Sequence, residues 1–182
     1  TGSTSGIGLG IAHALAAQGA NLVFNGFGDS DAIIQLQKDV ANRYGIRTFY
    51  SSADMSKSSD IEHMMHEVAQ QFGGVDVLVN NAGIVRFGPL LEQTIDQWRA
   101  VVDVNLTGTF TVAQAVAKRL VAEGRRGALV NITSMNGVTV LAQMSLDEIH
   151  AADAVLVGSG SRTREFAADA TFLDSLRLDP SR

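Results

Sequence analysis

The stretch Thr1–Gly10, "TGSTSGIGLG", sets Gly2, Gly6 and Gly8 ahead of a helix-compatible run. Glycine permits a tight turn, lets backbone approach a pyrophosphate closely, and lets a helix pack on a strand. The first amides of the helix then face the anion. The plain alternative is a turn that precedes a helix. Four more places carry polar groups at element ends or inside a helix. Asp54 follows "RTFYSSA", and Asn80, Asn81, Ala82 and Gly83 close the apolar "VDVLV". Asn105 lies within "VDVNLTGTF", and Ser134 ends "ALVNITS". Singly, each has a structural account: a turn, a helix cap for Asp54, a satisfied core amide for Asn105. Their joint order and spacing argue against coincidence.

These residues need elements to position them. Apolar runs predict strands at Ala20–Asn25, Arg47–Ser51, Val75–Asn80, Ala128–Thr133 and Ala154–Val157. Helical periodicity falls within Ile7–Gln18, Asp31–Tyr44, Ser59–Phe72, Ile95–Glu123 and Arg164–Leu176. In the third, Ile61, Met64, Met65 and Val68 form one apolar face. Alternating β and α elements imply a three-layer α/β sandwich with a mostly parallel, Rossmann-like sheet. Ligands in such folds lie beyond the carboxyl ends of the strands. With no linker or repeat, the 182 residues read as a single domain. Thr1 stands at the very edge of the glycine turn, into which a strand would normally lead. That strand is expected to have been cut away or to lie outside this sequence.

Residues 1–138 resemble the short-chain dehydrogenase/reductase family. The beginning, through "NGFGDSD", is similar to bacterial D-3-hydroxybutyrate dehydrogenases. The resemblance implies a Rossmann fold and a nicotinamide dinucleotide. It assigns Gly2, Gly6 and Gly8 to the phosphates, Asp54 to the adenine, and Asn81, Ala82 and Gly83 to the adenosine ribose and strand end. It makes Asn105 the support of a proton-relay water and Ser134 the hydrogen-bonding partner of the substrate oxygen. The substrate would be a small hydroxy acid or ketone. Related enzymes assemble through helices such as the one around Gln97–Glu123, so a homo-oligomer is expected. The family's first strand lies centrally, and its loss would leave an exposed gap in the sheet. An acidic side chain ending the second strand would hold a ribose 2′-hydroxyl, a basic one a 2′-phosphate. "FNGFGD" has no Arg or Lys there, with Asp29 a few residues late, which favours NAD over NADP.

The family's base is a Tyr followed four residues later by a Lys that lowers its pKa and holds the ribose. Counting on from Ser134, the Tyr position reads Asp147 and the Lys position Ala151. The only tyrosines are Tyr44 and Tyr50, and no Lys follows Lys118. His150 is a conceivable substitute base with no cation beside it. Asp147, Glu148 and Asp153 read as solvated charges around a helix and its cap. The chain is therefore expected to be catalytically incomplete while still able to bind a dinucleotide.

Residues 139–182 diverge, and residues 145–182 resemble an internal piece of the DJ-1/PfpI superfamily, ending before that family's nucleophilic Cys. "ADAVLVGSGS" could itself fill a sheet position left vacant by the dehydrogenase pattern. Rival readings are an active oxidoreductase of which this is a part, a DJ-1/PfpI-type fragment, and a non-enzymatic assembly domain using an open sheet edge. A net charge of −5 argues against nucleic acid. No apolar run is expected to approach a membrane span of roughly 20 residues, and no leader pattern is expected at the start. The absence of Cys removes disulfides, thiolate metal sites and a Cys nucleophile. No metal site is expected, and the chain reads as cytoplasmic.

Overall fold

The computed structural model describes residues 1–134 and 152–159. Helix α1 (Gly6–Ala17) opens the chain, followed by β1 (Leu22–Asn25), α2 (Ser30–Tyr44), β2 (Thr48–Ser51), α3 (Ser58–Phe72) and β3 (Val77–Asn80). A short 3-10 turn (Leu90–Glu92), α4 (Ile95–Val102), a π-helical turn (Asp103–Gly108) and α5 (Thr109–Ala122) lead to β4 (Gly127–Ser134) and β5 (Ala152–Ser159). The alternation matches the expected α/β order. The first and third strands start two residues later than the sequence indicates, whereas β4 and β5 run longer. The helix expected within Arg164–Leu176 lies outside the described residues, as do Asp147, Glu148, His150 and Ala151.

All strand pairs are parallel: β1 with β2, β3 with β4, and β4 with β5. Strand β1 shows why two helical layers are needed. Leu22 and Phe24 enter a cluster with Ala12 and Ala16 of α1 and Val40 of α2. Val23 packs on the other side, against the cluster of Ile61, Met64 and Val68 from α3 with Val112, Val116 and Leu120 from α5. Successive side chains point to opposite faces of a strand, so a strand buried on both faces is continuously apolar. This is the three-layer, Rossmann-like sandwich the sequence predicts.

The sheet is interrupted. Strands β1–β2 form one piece and β3–β4–β5 another. A cavity of about 300 Å³ runs between β1 and β3, lined by Leu22 and Val23 on one side, Leu78 and Val79 on the other, and Met64 and Val116. Thr1 and Ser3 close its end: the Thr1 amino group donates to the Val79 carbonyl at 2.7 Å, and the Ser3 N–H to the Asn25 carbonyl at 2.7 Å. Strand β5 does not lie between β1 and β3. Its register, Gly127 opposite Ala152 through Ser134 opposite Ser159, places it on the far edge of β4.

The run Ile95–Ala122 corrects another expectation. Including the π turn, it forms 28 continuous helical residues, long and apolar enough by length and composition to cross a membrane. Val112, Val116 and Leu120 recur at helical spacing and are buried against α3 and β3. That interleaving of a core-facing stripe with polar positions is the pattern of a helix packed in a protein core.

Candidate dinucleotide site

The site is built at the carboxyl ends of β1 and β3. Gly2 has φ +61°, a left-handed conformation, and a Cβ there would lie 2.8 Å from Ala82 Cα. A Cβ on Gly8 would lie 2.2 Å from the Gly2 carbonyl oxygen and 2.5 Å from Asn81 Nδ2. Only hydrogen in place of a side chain lets the first turn of α1, the loop and the end of β3 approach this closely. Gly6, at φ +57°, begins α1. Ser5, in extended conformation, precedes the helix without capping it by its side chain. The first amides of α1 thus remain for an anion, at the positive end of the helix dipole.

Asn81 locks this loop. Its Nδ2 donates to the carbonyls of Thr1 at 3.1 Å and Gly2 at 3.0 Å. The Thr1 hydroxyl oxygen accepts from the backbone N–H of Asn81 at 3.1 Å and of Ala82 at 3.0 Å. Thr1 is a site residue the sequence reading passed over. Asn80, just before, is buried and donates to the Thr109 carbonyl and to Asn131 Oδ1, tying β3 to α5 and β4.

Asp54 does not cap α3, whose N-cap is Lys57. Instead its Oδ1 accepts from the Ser56 N–H at 2.9 Å and the Ser56 hydroxyl at 2.8 Å, folding the turn ahead of that helix. These bonds, the backbone one foremost, hold its carboxyl below the usual carboxylate range, with Lys57 adding to the effect. Asn105 sits in the π-helical turn rather than in regular α-helix. Its Oδ1 accepts from the Ile84 N–H and its Nδ2 donates to the Ile84 carbonyl, both at 2.8 Å. This is the satisfied amide of the structural account, and it fixes the chain leaving Gly83. Gly108, the last residue of that turn, packs so closely on the chain after β2 that a Cβ there would meet the Met55 carbonyl oxygen at 2.1 Å.

Ser134 is the last residue of β4, on the same strand as Asn131, which Asn80 bonds. Asp29 is engaged elsewhere: its Oδ1 caps α2 by accepting from the Ala32 N–H at 2.9 Å. Tyr50 donates to the Gly26 carbonyl at 2.8 Å, and Tyr44 meets His13, so both tyrosines serve the scaffold.

The short chain dehydrogenase family matches residues 1–146 of this geometry's sequence. The chain belongs to the short-chain dehydrogenase family. The match continues past residue 138, the end of the stretch that carries the dehydrogenase resemblance, and overlaps the start of the tail. The DJ-1/PfpI resemblance of that tail gains no support. The D-beta-hydroxybutyrate dehydrogenase of Cupriavidus necator is 45% identical over 150 residues, covering 80% of this chain and 55% of that protein. That of Rhizobium meliloti is 41% identical over 138 residues, covering 76% and 53%. The chain thus spans about half the length of these curated relatives. Among solved structures, L-sorbose reductase from Gluconobacter frateurii, complexed with NADPH and L-sorbose, aligns with TM-score 0.69 at 27% identity, covering 74% of this chain and 50% of that one.

Proposed function

We propose that this chain forms the dinucleotide-binding part of an NAD-dependent oxidoreductase for a small hydroxy acid, of which 3-hydroxybutyrate is the leading candidate. The observation that carries the reading is the interlock of Gly2, Gly8 and Asn81 beneath the uncapped start of α1. Gly2, Gly6 and Gly8 hold the pyrophosphate, Asp54 the adenine, and Asn81, Ala82 and Gly83 the adenosine ribose. Ser134 hydrogen-bonds the substrate oxygen, and Asn105 supports a relay water beside Ile84. The hydroxy-acid preference rests on similarity to the Cupriavidus and Rhizobium enzymes. NAD is favoured over NADP because the loop Gly26–Asp29 carries no cation for a 2′-phosphate.

Hydride transfer needs an acceptor for the hydroxyl proton, a term commonly contributing about 10²–10⁴-fold to rate. Counted along the sequence from Ser134, the positions at which the resemblance expects Tyr and Lys read Asp147 and Ala151. Binding without turnover is the expected behaviour of this chain. The test follows NADH formation from NAD and 3-hydroxybutyrate between neutral and alkaline pH, with purified chain of verified mass. No turnover is expected. Turnover abolished by Ser134→Ala would overturn the incompleteness and make His150 the first residue to replace. Tighter binding of NADPH than NADH would overturn the cofactor preference.

A further inference from the structure

We infer that Asn25 is a positioning residue that sets the spacing between the pyrophosphate and adenine ends of the dinucleotide site. The inference rests on the dinucleotide reading above and assigns a function to a residue that reading leaves unused. Asn25 ends β1 and is buried, 3% exposed. Its carboxamide reaches in two directions. Oδ1 accepts from the Gly2 N–H at 3.3 Å, on the phosphate loop. Nδ2 donates to the carbonyls of Ser51 at 3.2 Å and Ala53 at 2.9 Å, at the exit of β2. The backbone adds a second clamp on the loop side. The Asn25 N–H donates to Ser3 Oγ at 3.0 Å, and its carbonyl accepts from the Ser3 N–H at 2.7 Å.

Ala53 is the residue before Asp54. Among the described residues, no hydrogen bond joins Thr1–Thr4 directly to Ser51–Ser56; the connection passes through Asn25. Phosphate and adenine contacts made by segments fifty residues apart in sequence are thereby held at one separation. The chemistry requires an amide, an acceptor at one end and two donors at the other. An Asp of the same shape would turn an acceptor oxygen toward two carbonyl oxygens. A Leu would leave the part-buried Gly2 N–H and the buried carbonyls of Ser51 and Ala53 without this partner. The nucleotide itself need not touch Asn25.

The test compares ligands that span both ends with ligands that touch one. ADP-ribose, AMP and inorganic pyrophosphate are titrated against wild type and Asn25→Asp by calorimetry. A positioning role predicts that Asn25→Asp weakens ADP-ribose by about tenfold or more, the loss expected from a bridge of hydrogen bonds, and AMP and pyrophosphate by less than about threefold. Equal weakening of all three, or unchanged ADP-ribose binding, overturns the inference. Wild type binding neither ADP-ribose nor AMP overturns the dinucleotide reading itself, and the inference with it. Should Asn25→Asp not fold, the wild-type chain decides alone. Pyrophosphate should shift the amide resonances of Ala53 and Asp54 as well as those of Gly2 and Ser3. Shifts confined to the phosphate loop overturn the coupling.

Discussion

Asn81 Nδ2 lies 3.0 Å from the carbonyl oxygen of Gly2, so a residue at the end of β3 dictates the shape of a loop 79 positions earlier. The same nitrogen also bonds the Thr1 carbonyl. Asn81→Ala removes both donors and leaves two part-buried carbonyls unpaired. Each lost bond costs roughly 1 kcal/mol. Affinity for NADH should fall about tenfold or more, with a lowered melting temperature, measured by fluorescence titration and calorimetry. Asn81→Ala binding NADH as tightly as wild type would contradict this role.

Asn105 makes a two-bonded clasp on Ile84, and Arg86 follows in an exposed segment. Asn105→Ala releases that segment and leaves the Ile84 amide and carbonyl without their partners, at a cost of about 1–3 kcal/mol. Trypsin should then cut after Arg86 several times faster than in wild type, a ratio read from timed digests by mass. Equal cleavage rates would show that the clasp does not restrain the loop.

Apolar side chains cluster in exposure around the long helix. Phe87, Leu90 and Leu91 are almost fully exposed, and Ile95, Trp98 and Phe110 are more than half exposed. Exposed apolar side chains gain from burial against a second surface, which favours association. The chain is expected to self-associate, with the sedimentation coefficient rising over a micromolar concentration series and Trp98→Glu shifting it back toward monomer. A single monomeric species at the highest concentration would refute the expectation.

The scaffold was legible in the sequence because its signals are local. The spacing of Ile61, Met64 and Val68 fixes the buried face of α3, and alternating elements imply parallel strands. The glycine loop was legible for the same reason, since Gly2 and Gly8 have no side chain at points of contact. What escaped depends on partners distant in sequence. Thr1 and Asn25 look unremarkable until Asn81, Ser51 and Ala53 are brought beside them. Asn105 was visible as a polar residue within a helical stretch, but periodicity does not distinguish a π turn from the α-helix around it. Strand β5 was recognisable from "ADAVLV", while its position on the outer edge of β4 required the pairing itself.

The measurement closest to the central claim is a fluorescence titration of NADH into the purified chain and into Gly8→Asp. The side chain at position 8 would enter space already held by the Gly2 carbonyl and Asn81, and its carboxylate would repel a pyrophosphate. The account predicts saturable enhancement of NADH fluorescence with wild type, displaced by ADP-ribose, and none with Gly8→Asp while that variant remains folded by circular dichroism. An identical response from both proteins would contradict it, because the glycine loop would then play no part in holding the dinucleotide.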